Sequence, residues 1–113
     1  MSFFDIQDLK KAALAKGVEI RLISGDKLTM VFYSLDPEAV IAEHSHPHEQ
    51  IGTVIKGNLE LQIGGEKRVV DQGSAYIVPS NVRHSGRCME SPTELIETFS
   101  PPREDLIEKI QQA

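Results

Sequence analysis

A chain of 113 residues with 12 Lys and Arg against 17 Asp and Glu, a formal net charge of −5, is long enough to bury the core of one domain and too poor in clustered cations to favour a nucleic-acid partner. Its one cysteine, Cys88, excludes an internal disulfide. The start MSFFDIQDLKK shows no basic region followed by a long apolar run, and no apolar run approaches the roughly 20 residues that span a bilayer. A reduced, cytoplasmic protein with no membrane partner is expected.

In chain order, DIQDLKKAALAK (5–16) sets Ile6, Leu9, Ala13 and Lys16 near helical spacing, with Gly17 as a stop. This predicts a short N-terminal helix and makes residues 1–17 a helical extension. From Val18 the texture changes to brief apolar stretches, among them VEIRLI, LTMVFYSL, VIAEH, IGTVI, LELQI, AYIV and ELIETF, separated by Gly, Asp, Asn and Pro. SGDK and IGGEK read as hairpin turns because glycine tolerates positive φ, and KGN is expected to close another. About eight short strands over residues 18–100 need two packed sheets or a closed barrel to bury their inward faces, an all-β domain. After SPP, the segment REDLIEKIQQ has Leu106, Ile107 and Ile110 on one side, which predicts a terminal helix within 101–113.

The stretch EHSHPHEQIGTVIKG (43–57) concentrates three of the four histidines. Residues two apart on a strand share a face, so His44 and His46 can aim both imidazoles at one point, and Gln50 has the same parity. The fourth, His84, follows GSAYIVPSNVRH, where turn chemistry flanks a strand, and an antiparallel neighbour could bring it to the same place. Three imidazoles and an amide oxygen suit a divalent transition ion, Mn, Fe, Ni or Zn, with two positions open if it is six-coordinate. Taken alone, HSHPH fits an exposed loop equally well. His48 has the right parity, but Pro47 must bend the strand there, so His48 is expected beside the ligands or in solvent.

The run His44-Ser-His46, three residues, Gln50, six residues, Gly57 resembles the first cupin motif, and Gly73, five residues, Pro79, then Asn81 and His84 is similar to the second. The resemblance implies a jelly-roll barrel with short terminal helices, and His44, His46, Gln50 and His84 as the metal ligands. Gln50 stands where glutamate is more usual, and Asn81 where glycine is common, a position that a left-handed Asn can fill. Neutral ligands alone leave the ion its full +2 charge, which favours an anionic oxygen ligand.

In ELIETFSPPREDL (94–106), Leu95, Glu97 and Phe99 share one strand face. A carboxylate there is costly unless it faces solvent, pairs with an arginine, or borders a metal-bearing cavity where it could act as a general acid or base. Arg103 could hold a substrate carboxylate bidentately, or bridge to Glu104 or Asp105. The ending resembles that of the pectin-degradation cupins, which convert unsaturated uronate monomers into linear keto sugars. That resemblance implies acid/base chemistry at Glu97, a ring contact at Phe99 and carboxylate recognition by Arg103. Glu97 is one methylene longer than the usual Asp, and Thr53 falls where an aromatic is frequent. The expected activity is ring opening and tautomerisation of an anionic sugar acid. A metal-dependent dioxygenase and a non-catalytic small-anion-binding module are the alternatives. A homodimer is expected, with the apolar MSFF start and the terminal helix covering sheet edges.

Overall fold

The computed structural model describes residues 2–113, and Met1, at the head of the expected extension, lies outside them. After a 3-10 turn at Ile6–Asp8 come ten strands and one helix. The strands are β1 (Ala12–Ala15), β2 (Val18–Ser24), β3 (Thr29–Leu35), β4 (Val40–His44), β5 (Glu49–Lys56), β6 (Asn58–Ile63), β7 (Glu66–Asp71), β8 (Ala75–Val78), β9 (His84–Cys88) and β10 (Thr93–Ser100), and the helix is α1 (Glu104–Gln112). They form a six-stranded sheet in the order β1-β2-β3-β10-β5-β8 and a four-stranded sheet in the order β4-β9-β6-β7. Every strand pairing is antiparallel. Among the described residues no helix is long and apolar enough to cross a membrane.

Strict alternation builds the barrel. In β3, Thr29, Val31, Tyr33 and Leu35 point inward, and in β10 Thr93, Leu95, Glu97 and Phe99 do the same. The two strands meet in register, with Leu95 opposite Tyr33 and Glu97 opposite Val31. Ile20, Val31, Leu35, Val54, Leu59, Leu95 and Phe99 are almost fully enclosed between the sheets, and α1 adds Leu106 and Ile110 to that core.

Two expectations are corrected here. Only Ile6–Asp8 of the expected N-terminal helix is helical, as one 3-10 turn, and AALA forms β1, paired with β2 through Ala12–Ile20, Ala13–Glu19 and Ala15–Val18. A lone helix of a dozen residues with few apolar anchors is marginal in water. The strand instead buries Ala12 and packs Leu14 on the core. Gly17, read as a helix stop, takes φ +74° in the β1–β2 turn, so residues 12–17 belong to the barrel. The second correction concerns KGN. It joins β5 to β6, which lie in different sheets, so it is a corner and not a hairpin. Gly57 turns that corner at φ +86°, where a Cβ would collide with the Thr93 hydroxyl and the Pro92 carbonyl. The Thr93 hydroxyl fixes the corner by accepting from the Asn58 N–H and donating to its carbonyl, both at 3.1 Å.

Candidate metal centre

β4 ends on His44 and β9 begins on His84, and the two residues are direct partners across the strand pair. Gln50, near the start of β5, stands opposite Phe99 of β10. His46 lies beyond the end of β4, so a loop places it where strand parity was expected to. The Asn81 N–H donates to the His46 carbonyl at 2.8 Å, and the Ser80 hydroxyl donates to that of Pro47. Asn81 holds the left-handed φ of +66° expected of it. The PSN turn of the second motif thus anchors the histidine loop of the first.

The three rings converge. Centroids are 4.2 Å apart for His44 and His84, 4.9 Å for His46 and His84, and 5.6 Å for His44 and His46. One ring nitrogen from each lies within 4.8 Å of the others. In each ring Nδ1 faces a backbone carbonyl two residues away: Ala42 for His44 at 2.7 Å, His48 for His46 at 3.1 Å, and Val82 for His84 at 2.9 Å. A neutral imidazole donates from one nitrogen only, so these contacts set the Nδ1–H tautomer and leave each Nε2 with a free lone pair.

That arrangement asks for a cation. His84 Nε2 is buried with no hydrogen-bond partner. His46 Nε2 lies 3.0 Å from Gln50 Oε1, and the Gln50 amide nitrogen is committed elsewhere, donating to Glu97 Oε2 at 2.6 Å. Two lone pairs therefore face each other across 3.0 Å, which is unfavourable until a positive charge lies between or beside them. Protonation is a poor substitute, because burial, the Arg103 charge and the neighbouring histidines lower the His46 pKa to about 4. Burial likewise lowers that of His84. The donor set fits a divalent transition ion held by His44, His46, His84 and the Gln50 amide oxygen.

Behind Gln50 stands a buried polar cluster of which Glu97 is the member marked in the sequence. The Glu97 carboxylate is 7% exposed and accepts on Oε2 from Gln50 and from the Tyr76 hydroxyl, each at 2.6 Å. Burial pushes its pKa up, opposed by hydrogen bonds from Tyr76, Gln50 and Tyr33 and by the Arg103 charge. Tyr76 reaches the carboxylate by lying across Gly52, its cross-strand neighbour, which in turn faces Glu97. A mid-strand glycine is the sequence signal for such a close approach, and with inward parity at position 76 it could have pointed to the tyrosine.

Arg103 and Phe99 border the same centre. The Arg103 guanidinium sits 4.6 Å from the Phe99 ring centroid. It donates from Nε and Nη2 to the two oxygens of Asp105, both at 3.0 Å, and this contact holds the Asp105 pKa below the usual carboxylate range. The expected bidentate grip on a substrate carboxylate is thus pre-empted along the Nε–Nη2 edge, and the Nη1 N–H groups with the second N–H of Nη2 are the donors left for a ligand. His48 adjoins the cluster: its ring centroid is 5.3 Å from that of His46, its carbonyl orients the His46 ring, and its Nδ1, like His84 Nε2, is buried without a partner. His44, His84, Gln50, Glu97, Phe99 and Arg103 line a cavity of about 50 Å³, and His44 and His46, at its edge, are partly exposed.

The cupin domain family model matches residues 31–99, more than half of the chain. The chain belongs to the cupin family. This cupin is 36% identical over 96 residues to the pectin degradation protein KdgF of Dickeya dadantii, covering 83% of its own chain and 87% of that protein. The structure of KdgF from Halomonas sp. superposes with a TM-score of 0.87 at 30% identity, over 94% of this cupin and 98% of that chain. An RmlC-like cupin from Shewanella frigidimarina superposes with a TM-score of 0.88 at 27% identity, over 94% and 96% of the two chains. The expected jelly-roll architecture and the likeness to pectin-degradation cupins are both found.

Proposed function

We propose that this cupin is a metal-dependent enzyme that opens and tautomerises unsaturated uronate monomers. The observation that supports it is the convergence of His44, His84, Gln50, Glu97, Phe99 and Arg103 on one cavity, in a chain related to a pectin degradation protein. A bound divalent ion would be held by His44, His46, His84 and Gln50 and would supply Lewis-acid stabilisation of negative charge developing on a substrate oxygen.

The chain's own groups provide the rest. Arg103, steered by Asp105 and set over the Phe99 ring, would offer its remaining Nη N–H groups and its charge to the uronate carboxylate. In the reaction the anomeric hydroxyl becomes a carbonyl, the ring C–O bond breaks, and the released enol becomes a ketone. The proton lost from the hydroxyl is balanced by one gained at the former double-bond carbon, so one group that accepts and returns a proton suffices. Glu97 fits that part. Burial pushes its pKa up, and the hydrogen bonds from Gln50 and Tyr76 to Oε2 hold the carboxylate in place beside the proposed metal ligands.

The test follows loss of the conjugated double-bond absorbance of unsaturated uronate monomers with metal-loaded and chelated protein. Turnover without oxygen uptake supports the proposal. Oxygen consumption would move the assignment to a dioxygenase, and tight uronate binding without turnover to a binding module.

A further inference from the structure

Thr29 opens β3 on the inward face and is fully buried. A valine of the same shape would carry no hydroxyl to satisfy there, so the partners of this hydroxyl matter. It accepts from the Arg103 backbone N–H at 3.0 Å and lies 2.9 Å from Ser24 Oγ. A hydroxyl has one hydrogen to give. Among the described residues Ser24 Oγ is the acceptor that the Thr29 hydrogen meets, and Ser24 has carbonyls of its own turn for its hydrogen, Gly25 at 3.1 Å and Leu28 at 3.4 Å. The donations therefore run one way, from the Arg103 N–H to Thr29, from Thr29 to Ser24, and from Ser24 to the backbone of the β2–β3 turn. That turn grips the β10–α1 link a second time, its Lys27 carbonyl accepting from the Ser100 hydroxyl at 2.9 Å.

These ties fall on a residue whose side chain borders the candidate metal centre. Arg103 precedes α1, no side chain caps the helix there, and its carbonyl accepts from the Ile107 N–H at 3.0 Å. Thr29 supplies the hydrogen bond on the N–H side. It is also the partner of Phe99 across β3 and β10. One residue thus fixes both the strand position that carries the Phe99 ring and the backbone from which the guanidinium reaches over that ring, 4.6 Å from its centroid. None of the Thr29 hydrogen bonds goes to His44, His46, Gln50 or His84. We infer that Thr29 is the positioning residue for Arg103, setting the guanidinium where it meets the carboxylate of a ligand. The inference rests on the carboxylate contact proposed for Arg103.

Thr29→Val keeps the shape and removes the acceptor, while Thr29→Ser keeps the hydroxyl and removes a methyl group. On unsaturated uronate monomers Thr29→Val is expected to raise KM by about threefold to tenfold, the scale of one lost hydrogen bond. Its kcat should stay within about twofold of wild type, with Ni²⁺ affinity unchanged by calorimetry. Thr29→Ser is expected to keep the wild-type KM, and a defect of packing alone would not follow the hydroxyl in this way. An unchanged KM in folded Thr29→Val, a fall in kcat at constant KM, or a KM in Thr29→Ser as high as in Thr29→Val overturns the inference. Should Thr29→Val fail to fold, Thr29→Ala leaves room for a water at the Arg103 N–H and is held to the same comparison with Thr29→Ser. A metal-loaded wild-type protein inert towards uronates overturns the proposed function instead, and the positioning is then decided without activity. The NMR signal of the Arg103 Nε–H, identified by its absence in Arg103→Lys, is expected to move in Thr29→Val and to keep its place in Thr29→Ser. A signal that stays at its wild-type position in Thr29→Val overturns the inference.

Discussion

Gly52 lies directly beneath Tyr76: a Cβ at position 52 would come within 2.5 Å of the Tyr76 ring and 2.6 Å of its hydroxyl oxygen. The tyrosine crosses β5 through that gap to donate to Glu97, and Glu97 in turn accepts from the amide that points Gln50 Oε1 at His46. A glycine in a central strand thus controls the outermost link of a relay that ends at the candidate metal.

Gly52→Ala is therefore expected to cost about 1–3 kcal/mol, the usual penalty of overpacking, and to weaken metal binding by displacing Tyr76. Tyr76→Phe separates the two effects. It keeps the ring and removes one hydrogen bond to a buried carboxylate, also worth about 1–3 kcal/mol. Chemical denaturation gives the stability of each variant, and metal titration by calorimetry the affinity. Equal metal affinity in both variants and the wild type would show that the relay does not reach the ion.

Removal of the metal should destabilise the barrel. An ion that binds only the folded state stabilises it by RT ln(1 + [L]/Kd), about 2.7 kcal/mol at a hundredfold excess over Kd. For a chain of 113 residues this corresponds to a Tm lower by about 10 °C after chelation. Differential scanning calorimetry before and after verified metal removal measures it, and superimposable curves would count against the site.

The histidine set is legible in the sequence because its members fall at fixed spacings in two segments. His44 opposite His84 then follows from antiparallel pairing of β4 with β9. The placement of His46 was less legible, since it depends on hydrogen bonds from the distant Ser80–Asn81 turn to the loop after β4. Tyr76 and Gly52 were missed for a related reason. Their meaning appears only when β8, β5 and β10 are in register, and the sequence states no register. At the N-terminus, Ala-rich local propensity argued for a helix, and tertiary pairing with β2 overrode it. Arg103 shows a further limit. Asp105 was one of its two candidate acidic neighbours, and only the geometry of the β10–α1 link selects it, with the Arg103 N–H donating to Thr29 Oγ1 at 3.0 Å.

His48 and His84 offer a matched comparison of two histidines in contact with the same cluster. His84→Ala removes a proposed ligand whose Nε2 is otherwise an orphaned buried atom, and it should lower metal affinity by several orders of magnitude or abolish binding. His48→Ala leaves the carbonyl that orients His46 in place, because that contact is made by the backbone. Disturbing the surroundings of a ligand without removing it costs at most about 10–100-fold in affinity, and the loss here should fall at the low end of that range. Competition titration with a chromophoric chelator distinguishes the two outcomes, and an affinity loss for His48→Ala equal to that for His84→Ala would make His48 a ligand.

Glu97 and Arg103 are expected to fail differently, which tests the roles proposed for them. Glu97→Gln preserves shape but cannot cycle a proton, so kcat should fall by roughly 10² to 10⁴ with little change in KM. The substitution also places an amide against the Gln50 amide, so metal content must be measured alongside the rate. A variant that loses both metal and activity would show Glu97 acting through Gln50, and one that keeps its metal while losing kcat would show Glu97 acting on the substrate. Arg103→Ala should instead raise KM, because the cation facing the uronate carboxylate is gone. Asp105→Asn should raise it less, because the guanidinium keeps its charge and its stack on Phe99 and loses only its bidentate orientation. Steady-state kinetics on one uronate preparation ranks the four proteins. Equal and small effects of the Glu97 and Arg103 substitutions on both constants would assign the two residues to packing of the β10–α1 link and remove them from the chemistry.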